Sequence, residues 1–128
     1  MSRQYDCVVT RVVDGDTLDV EVDLGFDIVT SQRIRLLGVD TPETYRPSCE
    51  AERAHGEDAK RFVADACFGK PCKLVTDRDR KGKYGRYLGV VFPPGSEESI
   101  NDLLRANGFS KRESYAEGGD GTSVGVGE

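Results

Sequence analysis

The sequence predicts a single α+β domain that is mainly β, with five strands closed into a small barrel and two helices. Three observations favour this fold: apolar and polar residues alternate with a period of two in several segments, one longer segment has helical spacing, and turn-forming residues separate the segments. A chain of 128 residues is long enough for one hydrophobic core and too short for two.

The first three strands form a meander. Residues 5–13 have strand character and end at Asp14-Gly15, a hairpin turn signal. In the second strand, residues 17–24, apolar side chains alternate with acidic ones, and residues 28–39 then resume strand character.

A helix and a second β segment follow. Apolar residues recur at helical spacing from Ala51 to Cys67, and Gly69 with a following proline ends this helix. Residues 72–76 and 87–92 predict two short strands, joined through a charged segment that forms a loop or an extended hairpin.

Ser99 caps a short second helix, which ends at Asn107-Gly108. Five mostly antiparallel strands with an intervening helix indicate a Greek-key barrel of the OB type, with an open α+β sheet as the alternative. We expect residues 1–116 to form this domain and the glycine-rich residues 117–128 to be a disordered tail.

The chain has no apolar stretch that would span a bilayer, and its N-terminus lacks the apolar core of a signal peptide. We therefore expect a cytoplasmic monomer without a membrane partner. Its cysteines match no zinc spacing, so we expect small buried thiols, with a thiol–metal structural domain as a weaker alternative. The cysteines are Cys7, Cys49, Cys67 and Cys72.

Charge is unevenly distributed along the chain. Residues 70–86 contain seven basic and two acidic residues, a local net charge of +5, which leaves −10 for the rest of a chain whose total is −5. The basic segment is a candidate phosphate contact, although a run of charges is also typical of a solvated loop.

Two aspartates fall at strand ends on the predicted core-facing side. Counting by twos along the third strand from Ile34 places Asp40 on that side, and counting back from Leu18 places Asp16 there. A pair of like charges in such a position is costly unless a cation lies between them. The pair therefore indicates a hard metal such as calcium or magnesium, although Asp16 also suits a turn and Asp40 a cap.

Three further charged residues could complete a reactive site. Arg35, on the outward side of its strand, and Arg86, after the basic segment, could each clasp a phosphate. Glu43 could orient or deprotonate a water molecule near the metal. Together these groups suit a phosphodiesterase site, but their spacing alone is explained equally well by a plain OB domain with an acidic rim.

Three motifs, VVDGDTLDV, RIRLLGVDTPE and KYGRYLG, resemble in order and spacing the signature blocks of the staphylococcal (thermonuclease) nuclease family. The resemblance covers residues 5–108. It implies an OB-type barrel and calcium-dependent hydrolysis of DNA and RNA, with cleavage of the P–O5′ bond leaving 3′-phosphate and 5′-hydroxyl ends.

The resemblance also implies roles for individual residues. The implied calcium ligands are Asp16, Asp40 and the carbonyl of Thr41. Asp14 is implied to lie next to these ligands without binding the ion itself. Glu43 resembles the general base or water-orienting group, and Arg35 and Arg86 the pair that binds phosphate and stabilises the transition state. Lys83 and Tyr84 match positions that meet a terminal phosphate, and Tyr115 stands where an aromatic ring stacks on a base.

The sequence departs from the family pattern after Ser110, where an aromatic segment and a further helix are replaced by the glycine-rich tail. We expect a nuclease that prefers single-stranded or frayed substrate. The alternative is a non-catalytic OB module that binds nucleic acid or protein through the same face. Such a module would have no use for five charged residues that are costly to gather in one pocket. These residues are Asp16, Arg35, Asp40, Glu43 and Arg86.

Overall fold

The computed structural model describes residues 2–81, 86–112 and 115, and it contains a closed five-stranded barrel with two helices. This confirms the predicted fold and rules out the open sheet. The strands are β1 Ser2–Asp14, β2 Thr17–Gly25, β3 Ile28–Leu36, β4 Pro71–Lys81 and β5 Tyr87–Phe92. The helices are α1 Glu50–Cys67 and α2 Ile100–Ala106. Neither helix is long and apolar enough to cross a membrane.

The barrel closes in the order β1-β2-β3-β5-β4. All neighbouring strands are antiparallel except β3 and β5, which are parallel with Ile34 opposite Tyr87 and Leu36 opposite Gly89. This parallel contact places the first residues of β5 beside the last residues of β3.

The alternating apolar residues of the strands fill the barrel as predicted. Leu18, Val20, Ile34 and Leu36 are almost completely buried, and α1 covers one end of the core with Ala59 and Val63. The acidic residues between the apolar residues of β2 lie on the outer surface, apart from the half-buried Asp19.

Three strands differ from the prediction by three or more residues at one end. β1 begins at Ser2 and not at Tyr5. β3 ends at Leu36 and not at Val39, because Gly38 takes a positive φ of 78° and turns the chain away from the barrel. β4 continues to Lys81, where it pairs with Tyr87, so the charged segment begins as part of a hairpin.

Three of the cysteines are buried thiols, as expected: Cys7, Cys67 and Cys72. Burial, together with the neighbouring Cys72 and Asp6, raises the pKa of Cys7 to about 12, so this thiol stays protonated and unreactive. Cys49 is half-buried at the start of α1.

A loop that we call the site loop, residues 41–48, lies directly on α1. A Cβ atom added to Gly56 would lie 2.6 Å from Thr44 Cγ2 and 2.7 Å from the carbonyl oxygen of Pro42. A Cβ atom on Gly15 would lie 2.8 Å from Ala59 Cβ. Glycine at these two positions therefore allows the helix, the site loop and the β1–β2 turn to approach one another.

We predict that Gly56→Ala destabilises the protein. Alanine normally stabilises a helix interior by about 1 kcal/mol over glycine, but overpacking against the Pro42 carbonyl costs roughly 1–3 kcal/mol. Urea unfolding of Gly56→Ala should give a lower free energy of unfolding than the wild type. Ala54→Gly, at an exposed position of the same helix, reports the propensity effect alone, and a more stable Gly56→Ala would contradict this packing.

Candidate active site

Asp16 lies in the turn between β1 and β2, and its side chain is 10% exposed. Its Oδ1 atom accepts a hydrogen bond from the Thr17 hydroxyl at 2.9 Å, and Oδ2 accepts one from the backbone N–H of Thr41 at 2.8 Å. Its backbone carbonyl accepts from the N–H of Leu36 at 2.8 Å. The end of β3 and the start of the site loop are thus both fixed to this aspartate.

The guanidinium of Arg35 joins Asp16 to Asp40. Its Nη2 atom lies 3.0 Å from Asp40 Oδ1 and 3.5 Å from Asp16 Oδ2. Its Nη1 atom donates to the carbonyls of Leu36 at 2.9 Å and Val39 at 2.7 Å. One side chain therefore pairs with both carboxylates, which leaves one negative charge uncompensated, and it binds the backbone of the turn that carries Asp40.

This arrangement corrects one prediction made from strand alternation. Asp40 was placed on the core-facing side, yet its side chain is 72% exposed, because alternation stops at Leu36 and Asp40 follows the turn at Gly38. Arg35 lies on the outward side as predicted, between the buried Ile34 and Leu36, but its long side chain reaches both aspartates and is therefore only 23% exposed.

Glu43 and Asp14 lie beside this cluster. The Thr44 hydroxyl donates to Asp14 Oδ1 at 2.5 Å, which fixes the site loop to the end of β1. Desolvation and then the charge of Asp14 raise the pKa of Glu43, with smaller contributions from Asp16 and Glu52, and Lys111 opposes the shift. An exposed carboxylate with a raised pKa accepts a proton more readily than an ordinary glutamate.

Glu52 is a site residue that the sequence analysis missed. It is 1% exposed on α1, and its carboxylate accepts hydrogen bonds from the backbone N–H groups of Glu43 and Ser48. The signal was its spacing of four and seven residues from Gly56 and Ala59, which puts it on the buried face of the helix.

The structure describes some of the remaining predicted residues and not others. Half-buried Arg86 directly precedes β5, whose Tyr87 and Leu88 pair with Ile34 and Arg35, so the backbone of Arg86 lies near the end of β3 that carries Arg35. Lys83 and Tyr84 lie outside the described residues.

Tyr115 lies on α1. Its hydroxyl is 2.8 Å from Nδ1 of His55, whose Nε2 is 2.8 Å from the Gly108 carbonyl, and its ring meets the Arg112 guanidinium at 5.3 Å. Since the carbonyl can only accept, Nε2 donates to it, and in the neutral ring Nδ1 accepts from Tyr115. Tyr115 thus attaches the segment after α2 to α1. Burial, with a smaller contribution from the charge of Glu52, raises the pKa of Tyr115, and Arg112 and Lys111 oppose this shift.

The donor atoms fit a hard cation. Asp16 and Asp40 supply carboxylate oxygens, and the buried Thr41 hydroxyl oxygen has no hydrogen-bond partner among the described residues. Carboxylate, hydroxyl and carbonyl oxygens suit calcium and magnesium. Within the described ranges, no group of three or more His, Cys, Asp or Glu residues could hold a metal, so Thr41, waters and substrate would have to complete the coordination.

We predict that Glu52 makes stability depend on acid pH. Burial alone would raise its pKa, but hydrogen bonds from Ser48 and Glu43 and the charge of Lys111 lower it to about 2, from 4.5 in an unfolded chain. This difference corresponds to roughly 3 kcal/mol of stability, which is present above pH 4.5 and is lost as the pH falls towards 2.

Urea unfolding of the wild type and Glu52→Gln at several pH values tests this. The destabilisation by the substitution should be large at pH 7 and shrink steadily below pH 4.5. A destabilisation that stays constant down to about pH 2.5 would show that the Glu52 carboxylate is not held in its charged form.

Comparison with known proteins gives a consistent family. The chain matches the family model described as Staphylococcal nuclease homologue over residues 33–122. It is 36% identical over 113 residues to a thermonuclease of Staphylococcus intermedius. The matched residues make up 88% of this chain and 62% of that protein. The chain is 33% identical over 107 residues to a thermonuclease of Staphylococcus hyicus, covering 84% and 59%.

A third relative is the SPbeta prophage-derived endonuclease YokF of Bacillus subtilis, strain 168. Identity is 34% over 107 residues, which are 83% of this chain and 33% of YokF. The chain therefore spans less than two thirds of the length of each of these relatives. The matched family and these identities, added to the cluster of Asp16, Arg35 and Asp40, show that the chain belongs to the staphylococcal nuclease homologue family.

Proposed function

We propose that this chain is a calcium-dependent nuclease that hydrolyses phosphodiester bonds of DNA and RNA at P–O5′, leaving 3′-phosphate and 5′-hydroxyl ends. The observation that carries this proposal is the Arg35 guanidinium in contact with both Asp16 and Asp40. Relatives named thermonuclease and endonuclease support the same activity.

Asp16, Asp40 and Thr41 are the residues that would hold the calcium ion. When bound, the ion neutralises charge on the phosphodiester and lowers the pKa of a nearby water molecule. Asp16 is suited to this role because its hydrogen bonds from Thr17 and Thr41 fix the carboxylate before a cation arrives. Asp40 is exposed and remains accessible to solvent and substrate.

The chain's own side chains would carry the rest of the reaction. Glu43 takes a proton from the attacking water or orients that water. Arg35, which already binds two backbone carbonyls, offers a preorganised guanidinium to the phosphate oxygens, and Arg86 does the same from the neighbouring strand. A preorganised cation stabilises the charge that develops in the transition state without having to move.

We propose single-stranded nucleic acid as the preferred substrate, bound by a monomer. Lys83 and Tyr84 would meet a terminal phosphate and Tyr115 a base. The net charge of −10 outside residues 70–86 weakens long-range attraction of nucleic acid, so binding depends on the local basic segment.

The direct test is hydrolysis of an end-labelled single-stranded DNA oligonucleotide by the pure protein, with calcium or with chelator. Calcium-dependent cleavage to 3′-phosphate ends, strongly reduced but still measurable in Glu43→Ala, is the expected result. Binding of the oligonucleotide without cleavage under every metal tested would overturn the proposal in favour of a non-catalytic binding module.

We predict that Arg35→Lys lowers the rate of hydrolysis about 100-fold, because the three N–H donors of lysine cannot keep the contacts with two carbonyls and two carboxylates and also bind a phosphate. Arg33→Lys is the matched control: Arg33 lies on the same strand and its guanidinium pairs with Asp19 at 2.7 Å. That exposed pair contributes at most about 1 kcal/mol to stability, so activity should be unchanged. Equal rates in the two variants would remove Arg35 from the reaction.

We predict that Arg86→Ala lowers kcat far more than it weakens binding of the oligonucleotide, because a group that acts in the transition state contributes little to ground-state affinity. Affinity is measured in chelator, and Arg61→Ala, on the exposed face of α1 beside Asp58, is the control. Equal losses in kcat and in affinity would mean that Arg86 only binds phosphate.

A further inference from the structure

Glu52 is a buried carboxylate on α1 that holds the site loop at two points. Its Oε2 atom accepts a hydrogen bond from the backbone N–H of Glu43 at 2.9 Å. Its Oε1 atom accepts from the N–H and from the hydroxyl of Ser48, each at 2.7 Å. The segment from Glu43 to Ser48 is thus fixed to a single side chain of the helix beneath it.

Lys111 connects Glu52 to the aspartate cluster. Its Nζ atom lies 3.4 Å from Glu52 Oε2, and its backbone N–H donates to the carbonyl of Asp40 at 2.6 Å. A buried carboxylate is costly unless a cation and hydrogen-bond donors satisfy it, and Glu52 has both. Lys111 therefore links Glu52, which holds Glu43, to the backbone of Asp40.

We propose that Glu52 is a positioning residue for Glu43, and that Lys111 couples it to Asp40. This inference rests on the proposed function, in which Glu43 acts on the attacking water. Because Glu52 binds the N–H of Glu43 itself, it sets where that residue's carboxylate lies relative to Asp16 and Asp40. A displacement of about 1 Å in such a group can cost about 100-fold in rate.

A second contact keeps the site loop folded when Glu52 is changed. The Thr44 hydroxyl donates to Asp14, and Thr44 packs on Gly56. Neither contact involves Glu52. Loss of Glu52 should therefore displace Glu43 without unfolding the loop. This distinguishes positioning from general stability.

The first test is a double-mutant cycle on hydrolysis. Glu52→Gln should lower kcat about 10- to 100-fold with little change in KM, and it should cause no further loss in the Glu43→Ala background. Glu50→Gln is the matched control, since Glu50 lies two residues away and pairs with Arg53 at the surface. Losses that multiply in the double mutant would overturn the proposal.

The second test does not depend on activity, so it still decides if the wild type cleaves no substrate and the proposed function fails. Amide hydrogen exchange at Glu43 and Ser48 should accelerate at least about tenfold in Glu52→Gln and not in Glu50→Gln, while amides of β2 stay protected. Unchanged exchange at both amides would overturn the proposal.

Lys111→Gln covers the case in which Glu52→Gln does not fold. Lys111 is partly exposed, and its substitution removes only the ion pair with Glu52. It should accelerate exchange at Glu43 in the same direction and by a smaller factor. Exchange at Glu43 that matches the wild type would show that Lys111 and Glu52 are not coupled.

Discussion

The arrangement of this site depends on the contact of one guanidinium with two carboxylates. Asp16 and Asp40 come from separate turns, and their charges repel each other at the end of the barrel. Arg35 offsets that repulsion and binds the carbonyls of Leu36 and Val39, so the same side chain fixes both the charges and the backbone that carries them. The proposed cation site and the proposed phosphate-binding role of Arg35 both depend on this single contact.

Helix α1 supports the other half of the site. Its buried face presents Glu52, Gly56 and Ala59 in succession, and these contact the site loop and the β1–β2 turn. A charged residue, a glycine and an alanine on one helical face are poor choices for a hydrophobic core. They are explained by the loop that packs on them, whose backbone N–H groups need an acceptor and whose carbonyls need space.

The sequence pattern was sufficient for the elements of the fold, because alternation on β2 and helical spacing on α1 reflect burial directly. It failed where regular structure stops: the side predicted for Asp40 was wrong, since Gly38 turns the chain after Leu36. The outward side predicted for Arg35 was correct, but alternation did not show that its long side chain reaches both aspartates. Helical spacing puts Glu52 on the buried face of α1, but its role was missed because two of its partners, Glu43 and Lys111, lie outside the helix and no local pattern records them.

The most direct test of this account is calcium binding to the wild type and to Asp40→Asn, measured by titration calorimetry in the absence of substrate. The substitution keeps the size of the side chain and removes its charge. The account predicts one calcium site in the wild type that is lost or strongly weakened in Asp40→Asn, with the fold unchanged. Equal calcium affinity in the two proteins would contradict a cation site built on Asp16 and Asp40.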